Sequence, residues 1–88
     1  MKIFALHSTQ NKGFTIGKIH LLDNRLIFKP WFLSKKNEFE IPYNWIENIE
    51  KEFIHITKLL RVILKDNTTV AFSVYNRNKV KQFLENKL

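Results

Sequence analysis

The 88-residue chain has no cysteine, only two glycines and only two prolines. The absence of cysteine excludes disulfides and thiolate metal sites, and a small domain without such crosslinks is typical of the cytoplasm. The scarcity of glycine and proline, with no low-complexity segment, indicates an ordered chain. No apolar run approaches the ~18–20 residues that span a bilayer, and the apolar stretch after Met1 is too short for a signal peptide.

The sequence also lacks any constellation of catalytic or metal-binding residues. Its three histidines, His7, His20 and His55, show no pairwise metal-ligand spacing. Gly13 and Gly17 do not stand in the context of a phosphate-binding loop. The sequence therefore predicts a protein that is not an enzyme and that needs neither a metal nor another cofactor.

What the chain does have is apolar residues and positive charge. Hydrophobic residues make up 44% of the chain, with eight Phe and two Trp, enough to build the core of one domain over residues 1–88. The net charge of +7 is uneven, since residues 38–52 hold five glutamates and one lysine. We expect a basic body with an acidic strip. The positive charge of the body attracts anionic partners without specifying them. The alternative is a surface that charge keeps soluble.

Residues 3 to 75 form short alternating segments that predict strands of an antiparallel sheet. Segment 17–21 shows the pattern well, with Ile19 and Leu21 on one face. Asp-Asn pairs at 23–24 and 66–67 predict hairpin turns, because both residue types tolerate left-handed backbone angles. Residues 45–49 fit either a helical turn or an irregular strand entry, and 57–58 are predicted to be a short link between strands 50–56 and 60–65.

Residues 77 to 87 predict one amphipathic helix, with Asn76 as its N-cap. Such a short helix is not stable alone in water, so its apolar stripe must dock on the sheet. The predicted fold is α+β and mainly β: a strongly bent antiparallel sheet, or partly open barrel, capped by one C-terminal helix. The predicted core is Ile19, Leu21, Leu26, Phe28, Phe39, Ile41, Ile46, Ile49, Val62, Leu64, Val70, Phe72, Val80, Phe83 and Leu84.

Segment 29–36, Lys-Pro-Trp-Phe-Leu-Ser-Lys-Lys, is the most suggestive for function. Aromatic rings flanked by lysines suit a membrane interface, where rings insert and ammonium groups meet anionic headgroups. The alternative is that Trp31 or Phe32 packs on the sheet while the lysines solubilise a hairpin. Nucleic acid is the less favoured anionic partner, because the acidic strip repels a phosphate backbone and no aromatic spacing typical of RNA-binding sheets occurs.

The order and spacing of several segments resemble GRAM domains and related bacterial PH-like domains. The similar segments are 17–21 with 25–28, Phe39-Glu40-Ile41-Pro42 with Ile46 and Ile49, and the hairpin 60–72 followed by Asn76-Arg77 and a helix. The resemblance covers the chain from about Phe4 to Leu88. It implies a sheet of about seven strands, bent into a partly open barrel under one helix, and therefore a single PH-like, GRAM-type domain.

The resemblance implies binding of lipid or protein rather than catalysis, and bacterial members of this fold class often form homo-oligomers. Lys18 and His20 match the second-strand basic positions of lipid-binding PH domains, and Lys12 is the base in the nearby loop. We therefore expect a cytoplasmic domain that binds anionic lipid weakly at the membrane periphery, or alternatively a protein-interaction or self-assembly module. The candidate binding residues are Lys12, Lys18, His20, Lys29, Trp31, Phe32, Lys35 and Lys36.

Overall fold

The computed structural model describes residues 1–9, 13–31, 38–54 and 57–88, with backbone only for residues 9 and 54. These residues form seven antiparallel strands and one α-helix, in the sheet order β4-β3-β2-β1-β7-β6-β5. The sheet curls into a half-barrel around the core, which confirms the predicted α+β, mainly β fold. The elements are β1 Lys2–Thr9, β2 Gly13–Leu21, β3 Arg25–Pro30, β4 Phe39–Pro42, a 3-10 turn Tyr43–Trp45, β5 Ile46–Ile54, β6 Thr57–Leu64, β7 Thr69–Val74 and α1 Arg77–Glu85.

The two predicted Asp-Asn turns are confirmed. In the turn between β6 and β7, the N–H and the hydroxyl of Thr68 donate to the Asp66 carboxylate at 3.0 and 2.6 Å. These bonds hold the pKa of Asp66 below its usual value. Asn67 takes the left-handed conformation, with φ 70°, which asparagine adopts at little cost. Hydrogen bonds between neighbouring residues thus stabilise the turn between β6 and β7.

Strand β5 settles the ambiguity over residues 45–49. Ile46 pairs with Leu64 and Ile49 with Val62, so three steps along β5 match two steps along β6, with the irregularity between Ile46 and Asn48. A bulge of this kind inserts one extra residue into one strand of the pair. Ile46 and Ile49 therefore both reach the core at a spacing that resembles a helix.

The predicted short link at residues 57–58 is wrong, because both residues begin β6. Thr57 pairs with Ile54 and Lys58 with Phe53 at the end of the β5–β6 hairpin. In sequence, threonine and lysine interrupt the apolar alternation and so resemble a connection. In an edge hairpin, however, one face of each strand can be polar without loss of pairing.

The core lies on the concave face of the sheet, here called the inner face, and under α1. Twelve of the fifteen predicted core residues are buried, whereas Phe39, Val70 and Phe83 are partly buried and pack against the core. Phe83 lies at the rim, where the Lys87 ammonium stands 5.4 Å from its ring centroid. Among the residues whose side chains the structure describes, the buried apolar residues outside the prediction are Ala5, Tyr43, Leu59, Leu60 and Val74.

Helix α1 packs on β5, β6 and β7 through Val80 and Leu84, which are fully buried. Asn76 is at the N-cap position, as predicted, but its side chain makes no capping hydrogen bond. Arg77 anchors this end of the helix instead. Its Nη1 donates to the carbonyls of Glu52 and Leu59 at 3.2 and 3.3 Å, and its guanidinium lies 5.0 Å from the Phe53 ring centroid.

Candidate functional site

The convex face of β1, β2 and β3, here called the outer face, collects basic residues through the strand register. Lys2 on β1 pairs with His20 on β2. Phe4 on β1 pairs with Lys18 on β2, which pairs in turn with Lys29 on β3. Paired residues project from the same face of a sheet. Three lysines and a histidine from three strands are therefore neighbours, although they span 28 positions of sequence.

Exposed apolar side chains lie in the same region. The rings of Phe4 and Trp31 meet edge to face at a centroid distance of 5.4 Å. The backbone N–H of Trp31 donates to the carbonyl of Ile16 at 3.0 Å, which extends the β2–β3 pairing by one residue. Trp31 is 54% exposed, Phe4 45% and Ile16 42%, so about half of the surface of each side chain is accessible to solvent. We call the set the basic-aromatic face: Lys2, Phe4, Ile16, Lys18, His20, Lys29 and Trp31.

The lysines of this face carry uncompensated charge. Among the described residues, no carboxylate forms an ion pair with Lys2, Lys18 or Lys29. The acid at its border, Glu40 on β4, is already paired with Arg25 at 3.3 Å. Like charges opposite one another on a sheet are mutually repulsive. An anionic surface laid on the face would relieve that repulsion.

His20 responds to this positive field. Its side chain is half-buried, and burial together with the charges of Lys29, Lys2, Lys18 and the amino terminus lowers the pKa of the imidazole from its usual value. Both causes act against the protonated form. His20 is therefore the member of the basic-aromatic face whose charge can change near neutral pH.

The acidic strip is divided: Glu38 and Glu40 border this face, whereas Glu50 and Glu52 lie on β5 at the opposite edge of the sheet. Arg61 on β6 pairs with Glu52 at 3.2 Å and approaches Glu50 at 3.9 Å. These carboxylates are thus partly neutralised within the molecule. The predicted separation of charge is therefore seen between the lysines of β1–β3 and the glutamates of β5, but not at β4, where Glu40 is next to the basic-aromatic face.

Four of the eight candidate residues, Lys18, His20, Lys29 and Trp31, come together on the basic-aromatic face. The other four candidates lie outside the described residues: Lys12, Phe32, Lys35 and Lys36. Lys2, Phe4 and Ile16 were not among the predicted site residues. The signal for Phe4 was present, because an inward Ala5 on an alternating strand turns its neighbours outward, but the alternation of β1 is weak.

Gly17 supports the face from beneath. It is buried where β2 pairs with β3, and a Cβ built on it would lie 2.5 Å from the Lys29 carbonyl oxygen and 2.8 Å from the Phe28 ring. Real Cβ atoms do not approach other atoms so closely. Glycine therefore allows the close packing of the two strands that hold Lys18 and Lys29.

His7 is on the inner face and does not belong to this site. Its ring lies 5.0 Å from that of Phe39, 5.4 Å from that of Phe28 and 5.6 Å from that of Phe72. Its Nδ1 is buried with no hydrogen-bond partner among the described residues, and burial lowers the pKa of the imidazole. His7 is therefore a neutral, half-buried member of the aromatic core.

Two clefts are lined by residues that the structure describes. One, of about 280 Å³, is lined by Lys58 and by residues 75–79 at the start of α1. The other, of about 370 Å³, runs along the outer side of β3 and β4 past Ile27, Lys29 and Glu40, and so borders the basic-aromatic face. In the described ranges, no three His, Asp or Glu side chains stand together as metal ligands. In those same ranges, no helix is long and apolar enough to cross a membrane.

No family model matches this chain, and no curated protein sequence does. Among solved structures, it is similar to the C-terminal domain of an unknown protein from Leishmania infantum. The TM-score is 0.83 and the identity 15%, and the match covers 99% of this chain and 80% of that chain. A likeness at this identity establishes a shared fold, the curled antiparallel sheet closed by a C-terminal helix, and establishes nothing about function.

Proposed function

We propose that this chain is a non-catalytic binding domain of the PH-like, GRAM type, whose basic-aromatic face binds weakly to anionic membrane surfaces. The observation that carries the proposal is that exposed aromatic rings lie beside lysines on one face. These lysines form no ion pair with a carboxylate of the described residues. The absence of cysteine and of long apolar runs favours a cytoplasmic domain at the membrane periphery.

The face combines aromatic rings with lysines, and this combination suits a membrane interface better than lysines alone would. Tryptophan and phenylalanine rings favour the boundary between headgroups and acyl chains. Each lysine near an anionic leaflet adds about 1 kcal/mol of attraction. Three lysines and two half-exposed rings would therefore hold the domain loosely and reversibly, which is the usual behaviour of a single peripheral module.

The first test removes charge from the centre of the face. Replacing Lys18 and Lys29 together by glutamine should weaken binding to anionic vesicles by about thirty-fold, because two attractions of about 1 kcal/mol each are lost. Co-sedimentation with vesicles of phosphatidylglycerol and phosphatidylcholine, over a series of salt concentrations, measures the effect. Affinity should fall with rising salt in the wild type, since screening acts within about 8 Å at physiological ionic strength.

The matched control is the double change of Lys65 and Lys79 to glutamine, which removes the same charge at exposed positions off the face. The control should bind nearly as well as the wild type. Equal losses in both variants would show that net charge, and not this face, determines binding. If neither anionic nor neutral vesicles bind at low salt, lipid is excluded as the ligand. The alternative function, a protein-interaction or self-assembly module, would then be favoured. Binding to nucleic acid alone would favour the third alternative.

The second test removes apolar area without changing charge. Trp31→Ala should lower vesicle affinity by about five- to thirty-fold, which corresponds to about 1–2 kcal/mol for the half-exposed indole. The slope of affinity against salt should be unchanged, because no cation is lost. The control is Trp45→Ala, which removes a similarly exposed tryptophan from the 3-10 turn.

The two tryptophans also allow a direct optical measurement, because the chain has only these two. In Trp45→Ala the emission comes from Trp31 and should shift to the blue when anionic vesicles are added. In Trp31→Ala the emission comes from Trp45 and should stay unchanged. A blue shift confined to Trp45 would contradict the proposed orientation of the domain on the membrane.

A further inference from the structure

His20 occupies a central position among the cations of the basic-aromatic face. Its strand partner on β1 is Lys2, and its strand partner on β3 is Ile27. Lys18 precedes it by two residues on the same strand and so projects from the same face. Lys29 is the partner of Lys18 and lies diagonally across from the imidazole. A proton on His20 would therefore join an existing cluster of positive charge.

The charges that face His20 from the neighbouring elements are mostly positive. From β1 they are Lys2 and the amino terminus, from β2 Lys18, and from β3 Arg25 and Lys29. The β4 strand contributes the carboxylates Glu40 and, just before the strand, Glu38; Glu40 lies beyond Ile27 and is paired with Arg25 at 3.3 Å. No carboxylate among the described residues bonds to the imidazole, so the proton has no fixed counter-ion in the free domain.

We propose that His20 makes this face a proton-linked site, so that binding to an anionic membrane surface strengthens as the pH falls. The inference rests on the proposed function. In the free domain, burial and the surrounding lysines disfavour the imidazolium. An anionic leaflet placed on the face supplies the missing counter-charge and raises the pKa of His20 above its value in the free domain. Since linkage is reciprocal, a proton on His20 must then tighten binding.

The direction of the pH effect follows from these signs. The pKa of His20 in the free domain lies below the usual histidine value, and the anionic surface raises it. Affinity should therefore increase as the pH falls through the pKa of the bound state, and should level off below the pKa of the free state. The added charge is equivalent to one more basic residue near the membrane, which corresponds to about a five-fold gain in affinity.

The experiment compares the wild type with His20→Gln on vesicles of phosphatidylglycerol and phosphatidylcholine, at about pH 7.5 and about pH 5.5. We expect the wild type to bind more tightly at the lower pH, by up to about five-fold, and His20→Gln to bind equally at both. The matched control is Lys18→Gln, which should bind more weakly at both pH values and keep the increase. Circular dichroism at each pH confirms folding, because protonation of His7 opposes the fold in acid.

The outcomes distinguish a failure of the proposed function from a failure of the linkage alone. No binding at either pH overturns both. Binding that is independent of pH in the wild type overturns the linkage alone, and so does a full increase that persists in His20→Gln. If His20→Gln does not fold, an NMR titration of the wild-type imidazole replaces it. A rise in the pKa of His20 on adding anionic bicelles supports the linkage, and an unchanged pKa overturns it.

Discussion

Replacing Phe28 by alanine should remove about 3–5 kcal/mol from the free energy of unfolding. The Phe28 side chain is completely buried, and its ring centroid lies 5.4–5.9 Å from those of His7, Phe39 and Phe72. Truncation would leave a cavity lined by aromatic rings, which cannot collapse because the strands that carry them are hydrogen-bonded within one sheet. Against a total of about 5–15 kcal/mol for a typical domain, that loss is large.

Urea denaturation followed by circular dichroism measures the effect of Phe28→Ala. The midpoint should fall while the dependence on denaturant stays the same. The control is Phe14→Ala on β2, where the ring is 46% exposed and the expected loss is below about 1 kcal/mol. Similar losses at Phe14 and Phe28 would contradict an aromatic core centred on the inner face of β1, β3, β4 and β7.

Gly17→Val should be comparably destabilising, by about 3 kcal/mol or more, for the opposite reason. Phe28→Ala removes packing, whereas a side chain at Gly17 has no room: its Cβ alone would lie 2.5 Å from the Lys29 carbonyl oxygen. Because that atom is backbone, the conflict cannot be relieved by a side-chain rotation. Overpacking of a close-packed site costs about 1–3 kcal/mol per modest insertion, and the two extra methyl groups of valine increase the overlap with the Phe28 ring.

The control for Gly17→Val is Gly13→Ala at the start of β2. A Cβ at Gly13 meets no atom within 4 Å, but the residue has φ 77°. Its replacement should therefore cost about 1–2 kcal/mol through backbone conformation alone. The backbone amide signals of Phe28 and Lys29 should shift in Gly17→Val and stay in place in Gly13→Ala. A Gly17 variant as stable as the wild type would show that β2 and β3 can separate at no cost.

The parts of the fold that sequence predicts are those governed by local chemistry. Asp66 and Thr68 close their turn by bonds between residues two apart. Ile19 and Leu21 alternate with more exposed neighbours along β2. Ile46 and Ile49 are ambiguous in sequence because a bulge changes the period of a strand for one residue, and only the partner strand reveals it. Leu59 escaped prediction because it and Leu60 are both buried at consecutive positions, which alternation does not anticipate.

The sequence predicts which residues of the candidate site share a hairpin, but not which residues of other strands lie beside them. Lys18, Lys29 and Trp31 lie on one hairpin, so their proximity follows from the predicted turn at residues 23–24. Phe4 and Lys2 join them because β1 pairs with β2 in a particular register. A shift of that register by one residue would turn both side chains to the other face. Register depends on the whole inner face packing at once, and no short segment encodes it.

The order of strands in the sheet has a consequence for how the chain folds. Strands β4, β3, β2 and β1 form one meander of successive neighbours, and β7, β6 and β5 form another. Each meander joins strands that are consecutive in the chain, whereas their junction pairs residues such as Leu6 and Ser73 that are distant in sequence. Long-range closure carries the larger entropic penalty and slows folding. We therefore expect the pairing of β1 with β7 to limit the folding rate of this domain. One of these two strands, β1, also carries Lys2 and Phe4 of the basic-aromatic face.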